Sequence, residues 1–360
     1  MRYVSIDLLR TVAIVMMVLV HFMENLAGSN WGVAGFGAPI FNFLVGVSYR
    51  VWLDSQEKKD IPEETIFRIS LRRGLFLFVL GLAFNVFVWL PEDAFNWDVL
   101  TLIGTALLLL NFLRQIPTVI SIVISLTAMV IGPFLREITD YPAYWTNGYF
   151  ECDWTFSEIV MGYLSNGYFP IFPWIAYPLM GFVIASVLFE EESTEHQPTG
   201  TTALIGIIMM LVTLLAVIIG PQTPMSITKS VLRGWTMFPP SIEYVMGTLG
   251  MAIMAFSLCH RWIDRAITKE PISGLLSICT TLSKYSLSMY LFHHVVHIWP
   301  LWIYGAIYGT EPTQFWRNAM PMWPAIGLAV LCLVLGCALF RWMERTKRPG
   351  LESLMRYLCG

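Results

Sequence analysis

Apolar residues along the chain occur in long blocks separated by short polar segments. A helix that crosses a bilayer needs roughly 20 mostly apolar residues, and blocks of this length recur through the sequence. The predicted spans are residues 4–23, 34–53, 70–90, 97–113, 117–135, 168–188, 202–220, 240–259, 281–307 and 322–342. The pattern therefore predicts an all-α, polytopic integral membrane bundle of about ten transmembrane helices.

Composition supports this class and excludes others. Hydrophobic residues make up 56% of the 360 positions and charged residues 13%, against roughly 45–50% and 25% in soluble domains. The formal net charge is only -3, and no basic stretch is interleaved with aromatic residues. We therefore expect the lipid bilayer as a partner and no nucleic acid.

Lys and Arg residues predict the orientation, because short cytoplasmic loops carry most of them. They concentrate in residues 54–73, in residues 260–280 and in the segment after the last span. The amino and carboxyl termini are therefore both expected on the cytoplasmic side (N-in/C-in). We expect a single transmembrane domain over 1–360, with a polar cytoplasmic linker at about 189–200 between six spans and four.

The first predicted span carries three polar residues of interest. Asp7 and Arg10 are three positions apart on one helical face, where they can form a structural ion pair. Alternatively, Arg10 attracts an anionic group that arrives from the cytoplasm. His21 lies near the outer end, where it is either an ordinary interfacial residue or a base that accepts a proton near neutral pH.

The ninth predicted span contains three histidines, His293, His294 and His297, well inside the apolar run. His293 and His297 share a helical face, whereas His294 is expected to point about 100° away. Tyr290 lies one turn before His293 and could orient it. An HxxxH pair can ligate a metal ion, but neither an HExxH glutamate nor a clear third ligand is present, so we expect no metal site.

Three further features have structural explanations on their own. Asp98 begins the fourth span, where a carboxylate favours the start of a helix. FPIFPW at 169–174 predicts a rigid helix entry with aromatic residues at the membrane interface. Asn42 is an amide inside the second span that requires a hydrogen-bonding partner.

Six sequence motifs, taken in order, resemble the membrane acyltransferases related to heparan-α-glucosaminide N-acetyltransferase, with the YeiB-type proteins as close relatives. The FPIFPW and YLFHH segments carry the most specific similarity. The motifs that resemble the family are SIDLLRTVAIVMMVLVHF, GAPIFNFLVGVS, DVLTLIGTALLL, FPIFPWIAYPLMGFVIA, SLSMYLFHH and RPGLESLMRYL. They extend over nearly the whole chain.

The resemblance implies transfer of an acetyl or similar acyl group from cytoplasmic acyl-CoA to a sugar or other acceptor beyond the membrane. Acyl-CoA would be a co-substrate, and no tightly bound cofactor is expected. His21 would be the general base, Asp98 would orient it or the substrate, and His293 would be a second acid or base. The resemblance departs from the family at Thr11, which replaces a glycine, and in the loop LAGSNWGVAG, which lacks the family's histidine; His21 is the substitute candidate.

Other residues would support these roles. Arg10, Arg72 and Arg73 would face the CoA phosphates. The residues expected to bind substrate or support the site are Asp7, Asn42, Tyr290, His294 and Trp174. We expect a multi-pass protein of a prokaryotic cytoplasmic membrane. The sequence is compatible with a homo-oligomer but does not determine the oligomeric state.

Two other function classes are compatible with the residues alone. A proton-coupled transporter could use the buried histidines as a relay, but broken helices in corresponding halves of the chain are missing. A scaffold without chemistry would leave the histidines unexplained.

Overall fold

The computed structural model describes residues 2–29, 34–146, 148–190, 198–220, 234–264, 274–309 and 317–360. Helices account for nearly all regular structure in these residues. The helices are α1 (Val4–Ala27), α2 (Gly37–Glu57), α3 (Glu63–Val88), α4 (Val99–Leu113), α5 (Thr118–Ile138), α6 (Phe156–Met161), α7 (Ile171–Trp174), α8 (Ala176–Glu190), α9 (Thr199–Ile219), α10 (Ile242–Cys259), α11 (Leu275–Lys284), α12 (Ser286–Tyr308), α13 (Met322–Arg345) and α14 (Leu351–Cys359). One short hairpin, β1 (Trp145–Thr146) and β2 (Tyr149–Phe150), lies between α5 and α6. The predicted all-α class is confirmed.

Helix α9 has its polarity inverted relative to a helix of a soluble protein. Its buried residues are the small or polar Thr199, Thr202, Ala203, Gly206 and Thr213. Beyond its first turn, its exposed residues are large and aliphatic, including Leu211 and Ile218. Lipid is the solvent that accommodates such a surface, because helix contacts in membranes favour small residues.

Eight segments of the described chain are long and apolar enough to cross a membrane. Helices α2 and α12, which we also predicted to be spans, have the required length but fall outside these eight. Arg50, Asp54 and Glu57 lie on α2, and three histidines lie on α12. The chain is a multi-pass membrane protein, and the number of about ten spans stays a prediction.

Packing divides the described residues into two compact units. The first comprises mainly Asn42–Ala266, and the second comprises Tyr3–Phe41 and Ile267–Leu358. Glycines allow close helix contacts in the first unit. A Cβ atom on Gly46 of α2 would lie 1.8 Å from the carbonyl oxygen of Pro178 in α8. Gly206 and Gly250 bring α9 and α10 together in the same way, each facing the other's backbone. Small residues at these positions let the backbones approach closely.

The second unit is built around α1, which packs against α11, α12 and α13. Its buried core includes Ile14, Val18, Phe22, Leu282, Met289, Ala329 and Phe340. Helix α1 ends at Gly28, whose positive φ of 60° provides a left-handed cap, and the Gly28 amide donates to the Glu24 carbonyl. This glycine cap is a common helix terminus, since glycine adopts that conformation without steric cost.

The structure corrects several predicted boundaries. The predicted span 281–307 is interrupted at Tyr285, which has φ -107° and ψ 33° between α11 and α12. The predicted span 168–188 is likewise two helices, α7 and α8, and Phe172 in FPIFPW is non-helical. Residues 191–197 of the predicted linker lie outside the described residues.

Candidate functional site

The main polar cluster of the second unit joins α1 to α12 inside the protein. The His21 Nδ1 and His293 Nε2 atoms are 3.0 Å apart, a hydrogen-bonding distance. The ring centroid of His294 lies 4.6 Å from that of His21 and 4.0 Å from that of His293. His293 and His294 are buried, and His21 is half-buried. The fold thus brings together predicted site residues that are separated by more than half of the chain.

Backbone carbonyls determine the orientation of the two adjacent histidines. His293 Nδ1 donates to the Met289 carbonyl oxygen at 2.9 Å, and His294 Nδ1 donates to the Tyr290 carbonyl oxygen at 2.9 Å. Each acceptor lies four residues earlier, because side chains on a helix lean toward its amino terminus. A carbonyl oxygen only accepts, so both Nδ1 atoms carry a hydrogen and both neutral rings have Nε2 as the basic nitrogen.

This assignment also determines the tautomer of His21. Because His293 Nε2 is an acceptor, His21 Nδ1 is the donor in the 3.0 Å contact. The neutral ring then has its lone pair at Nε2. His21 therefore has the tautomer of a general base whose second nitrogen is held by a neighbour.

His297 has a structural role in the same cluster. Its Nδ1 donates to the His293 carbonyl oxygen at 2.6 Å, and its Nε2 accepts from Asn25 Nδ2 at 2.9 Å. The Phe22 ring packs beside it, with centroids 4.7 Å apart. Both ring nitrogens are thus satisfied, and the Asn25 contact fastens α1 to α12. Asn25 was not predicted as a site residue, because its partner is on another helix.

The expectation that His294 points away from His293 is wrong. Successive residues on a helix do project about 100° apart, yet both rings turn into the same cluster. Nitrogen atoms of His21, His293 and His294 all lie within 4.8 Å of one another. The prediction of no metal site considered the HxxxH pair formed by His293 and His297, whereas the clustered group consists of His21, His293 and His294.

Tyr290 contributes through its backbone as well as its ring. Its carbonyl orients His294, and its buried side chain lies edge-on to His293 with a centroid distance of 5.8 Å. The Met289 carbonyl orients His293, and an orienting role of Tyr290 toward His293 stays a prediction.

Glu352 of α14 holds the start of α12. Its Oε1 accepts from the Ser288 amide at 2.8 Å, and its Oε2 accepts from the Ser288 hydroxyl at 2.6 Å. The first amides of a helix lack intrahelical partners and attract negative charge. Glu352 therefore anchors the helix that carries the histidines. In the sequence, Glu352 stands out only as a member of the motif RPGLESLMRYL.

The amino-terminal part of α1 is joined to α11. Arg10 Nη1 donates to the Ser283 hydroxyl at 3.0 Å. The Thr11 hydroxyl lies 2.8 Å from the Asp7 carbonyl oxygen and 3.0 Å from that of Cys279. Thr11, which departs from the pattern that the first span resembles, forms this connection between helices through its hydroxyl. Asp7 is buried, and its pairing with Arg10 stays a prediction.

The other predicted site residues lie in the first unit. Asp98 is the N-cap of α4, where its carboxylate accepts from the Leu100 amide at 2.6 Å, which confirms its structural role. Arg72 is exposed, whereas Arg73 stacks over Trp52, 4.9 Å from the ring centroid. Asn42 and Trp174 are both fully buried. Catalytic and ligand-binding roles for these residues stay predictions.

A second polar pair, in the first unit, was not predicted. His260 Nδ1 and Asp264 Oδ2 are 2.8 Å apart in a π-helical turn that follows α10. His260 is buried against Phe189 and Phe256. The spacing of four residues is the only sequence signal of this pair, and it is common in helices.

The family comparison covers the first part of the chain. The family described as "Heparan-alpha-glucosaminide N-acetyltransferase, catalytic" matches residues 2–218, which is more than half of the sequence. The chain belongs to this family. A comparison with curated proteins finds no significant match. The sequence-based resemblance is thereby confirmed, and membership supports a membrane acetyltransferase in the general sense.

The matched residues include α1 with His21, but they end before α12. The similarity that we described for SLSMYLFHH therefore lies beyond the match. The link between the two parts is geometric, because His21 contacts His293.

Proposed function

We propose that the protein transfers an acetyl or similar acyl group from cytoplasmic acyl-CoA to a sugar or other acceptor on the outer side of the membrane. Family membership supports acetyl transfer, and the hydrogen bond between His21 and His293 is the observation that carries the assignment of the base. Ionisable groups in a membrane are costly and mark functional sites by default.

In the proposed reaction, His21 Nε2 accepts the proton of the acceptor's hydroxyl or amine. The acceptor oxygen or nitrogen attacks the thioester carbonyl, the carbon–sulfur bond breaks, and the departing CoA sulfur takes the proton from His21. The products are the acylated acceptor and CoA. His293 stabilises the imidazolium because it accepts the Nδ1 hydrogen bond. General base catalysis of this type contributes typically 10²–10⁴-fold.

A covalent route is the alternative within this proposal. His21 Nε2 attacks the thioester carbonyl, the carbon–sulfur bond breaks, and CoA leaves as a thiolate that takes a proton from water. The acceptor then attacks the acyl-imidazolium, the bond from the acyl carbon to Nε2 breaks, and the proton of the acceptor passes to water. The two routes differ in kinetics, because only the covalent one releases CoA before the acceptor binds.

Arg10 is the donor-side residue that can be tested first. Its guanidinium lies near the amino-terminal end of α1, which we predict to be cytoplasmic, and it is half-buried beside Ser283. Guanidinium groups bind phosphate oxygens in pairs, which suits the CoA nucleotide. Phosphate contacts by Arg72 and Arg73, and substrate orientation by Asp98, stay predictions.

The test is the thermal stability of the purified protein with CoA, acetyl-CoA and a thioester without a nucleotide. A ligand that binds only the folded state stabilises it by about 2.7 kcal/mol at 100 times its Kd. We expect stabilisation by both CoA species and a much smaller effect in Arg10→Gln. Arg68→Gln is the control, because Arg68 is exposed and pairs with Glu64 of its own helix.

The absence of stabilisation by millimolar CoA in a folded sample would contradict the acyltransferase. Proton flux in vesicles would then test the transporter. Equal stabilisation of the wild type and of Arg10→Gln by CoA would support CoA as the acyl donor but show that Arg10 does not bind it.

A further inference from the structure

We infer that His21, His293 and His294 form a binding site for a divalent transition-metal ion, Zn²⁺ in the first instance. This inference goes beyond the proposed function, and the binding part of it does not depend on acyl transfer. It rests on three imidazoles that two helices bring into one cluster within the apolar interior.

The spacing of the nitrogen atoms is close to that of a zinc site. Zn–N bonds are about 2.0–2.1 Å, so two ligands of a tetrahedral site lie about 3.3 Å apart. His21 Nδ1 and His293 Nε2 are 3.0 Å apart, and all three nitrogens lie within 4.8 Å. Small rotations of the rings about their side-chain torsions would bring the third nitrogen into place.

The surroundings of two ligands are also those of a metal site. Metal-binding imidazoles usually donate their second ring N–H to a carbonyl or carboxylate, which determines the ring's orientation. His293 and His294 both do so through Nδ1, to Met289 and Tyr290. Their Nε2 atoms therefore have the correct tautomer to bind a cation. His21 needs only to move its hydrogen from Nδ1 to Nε2, with no net release of a proton.

Three ligands leave one position of a tetrahedral ion open, which is the pattern of zinc sites that exchange water or substrate. The bound ion adds two positive charges to neutral imidazoles. Glu24 lies three residues after His21 on the same face of α1, and it also interacts with Arg317. Its carboxylate, or an anion in the open position, would offset part of that charge.

Metal binding would inhibit the proposed reaction. The ion uses the His21 Nδ1 and His293 Nε2 atoms that form the hydrogen bond of the free protein. It would therefore replace the contact that holds the general base. This consequence rests on the proposed function, and the binding does not.

Equilibrium dialysis of the detergent-purified protein against ⁶⁵Zn²⁺ tests the binding. We expect saturable binding of one zinc ion per chain. The Kd should rise more than about 100-fold in His21→Gln, His293→Gln and His294→Gln, because even changes in the surrounding shell cost 10–100-fold. His297→Gln is the matched control, since both of its ring nitrogens are occupied, and it should retain the site.

Absorption of Co²⁺ provides an independent measurement. A four-coordinate nitrogen site gives intense visible bands, whereas ions bound loosely to surface carboxylates do not. We expect these bands in the wild type and in His297→Gln, and their loss in His21→Gln. Far-ultraviolet circular dichroism of each variant establishes that it is folded.

Zinc binding that is absent from the wild type, or unchanged in folded His21→Gln, would overturn the inference. Saturable binding without any acetyl transfer would support the metal site and contradict the proposed function. Acetyl transfer without zinc binding would do the reverse. The two proposals can therefore fail separately.

Discussion

Replacement of Glu352 by glutamine tests how the helix that carries the histidines is anchored. Glu352 accepts two hydrogen bonds from Ser288, at 2.8 Å from the amide and 2.6 Å from the hydroxyl. Glutamine keeps the shape of the side chain but removes its charge. The change should weaken the contact between α14 and the start of α12 without creating a cavity.

The expected loss follows from the two contacts. A hydrogen bond to a charged group contributes about 1.5–3 kcal/mol, against about 0.5–1.5 for a neutral one. The favourable interaction with the helix dipole adds about 0.3–1 kcal/mol. Since Glu352 is only half-buried, the lower part of these ranges applies. We expect Glu352→Gln to lower the free energy of unfolding by about 1–3 kcal/mol.

Denaturant unfolding in detergent micelles measures this loss, and a double-mutant cycle assigns it to the contact. Ser288→Ala removes the bond from the hydroxyl to Glu352 and also the 3.3 Å bond that the hydroxyl accepts from the Leu351 amide. The cycle cancels the second loss, so the coupling of Ser288→Ala to Glu352→Ala should be about 1–2 kcal/mol. Glu344→Gln is the control, because Glu344 forms an ion pair with Lys284 in which the Glu344 side chain is 47% exposed and the Lys284 side chain is 34% exposed. Exposed pairs contribute about 0–1 kcal/mol. A coupling near zero, or an equal loss in Glu344→Gln, would refute the reasoning.

Three further predictions concern the first unit. Gly46→Ala should cost more than about 3 kcal/mol of unfolding free energy, because its Cβ would lie 1.8 Å from a carbonyl oxygen. Gly327→Ala is the control and should be neutral or stabilising, because no atom lies within 4 Å of its added Cβ. Similar unfolding curves for the two variants would contradict this prediction. Asp98→Ala should lower the free energy of unfolding by about 1 kcal/mol, because it removes the helix cap. Asp98→Asn should keep that stability but lower the rate of acetyl transfer at least about tenfold. Full activity in Asp98→Asn would limit Asp98 to capping. Burial raises the pKa of the Cys152 thiol, so its alkylation near pH 8 should be slower than that of a free cysteine and should become faster at higher pH. Mass spectrometry of iodoacetamide-treated protein measures the rate. Labelling as fast as that of a model thiol would contradict the raised pKa.

The class of fold was accessible from the sequence because bilayer thickness imposes a length on apolar blocks. Most predicted spans coincide with observed helices. The break at Tyr285 lies among the polar residues Ser283, Lys284, Ser286 and Ser288, a local signal that the predicted span 281–307 overlooks. Helix ends that depend on tertiary contacts, such as the one that Glu352 anchors, have no local signal.

The candidate site was only partly accessible. His21 and His293 were selected because ionisable residues are rare inside membranes, but their contact depends on how α1 and α12 pack. The two adjacent rings of His293 and His294 contact each other although their Cβ atoms project in different directions, because the Cβ direction does not determine the position of the ring. The pair formed by Asn25 and His297 joins two distant segments. Such contacts can be identified only when the tertiary packing of the helices is known.

The most direct test of the central claim is CoA release by the protein in liposomes supplied with acetyl-CoA and a panel of amino sugars, neutral sugars and water as acceptors. Mass spectrometry would identify the acetylated product. We predict acceptor-dependent CoA release by the wild type and by His297→Gln, and at least about a 100-fold lower rate in His21→Gln. No release above protein-free liposomes with any acceptor, or an unchanged rate in His21→Gln, would contradict the account.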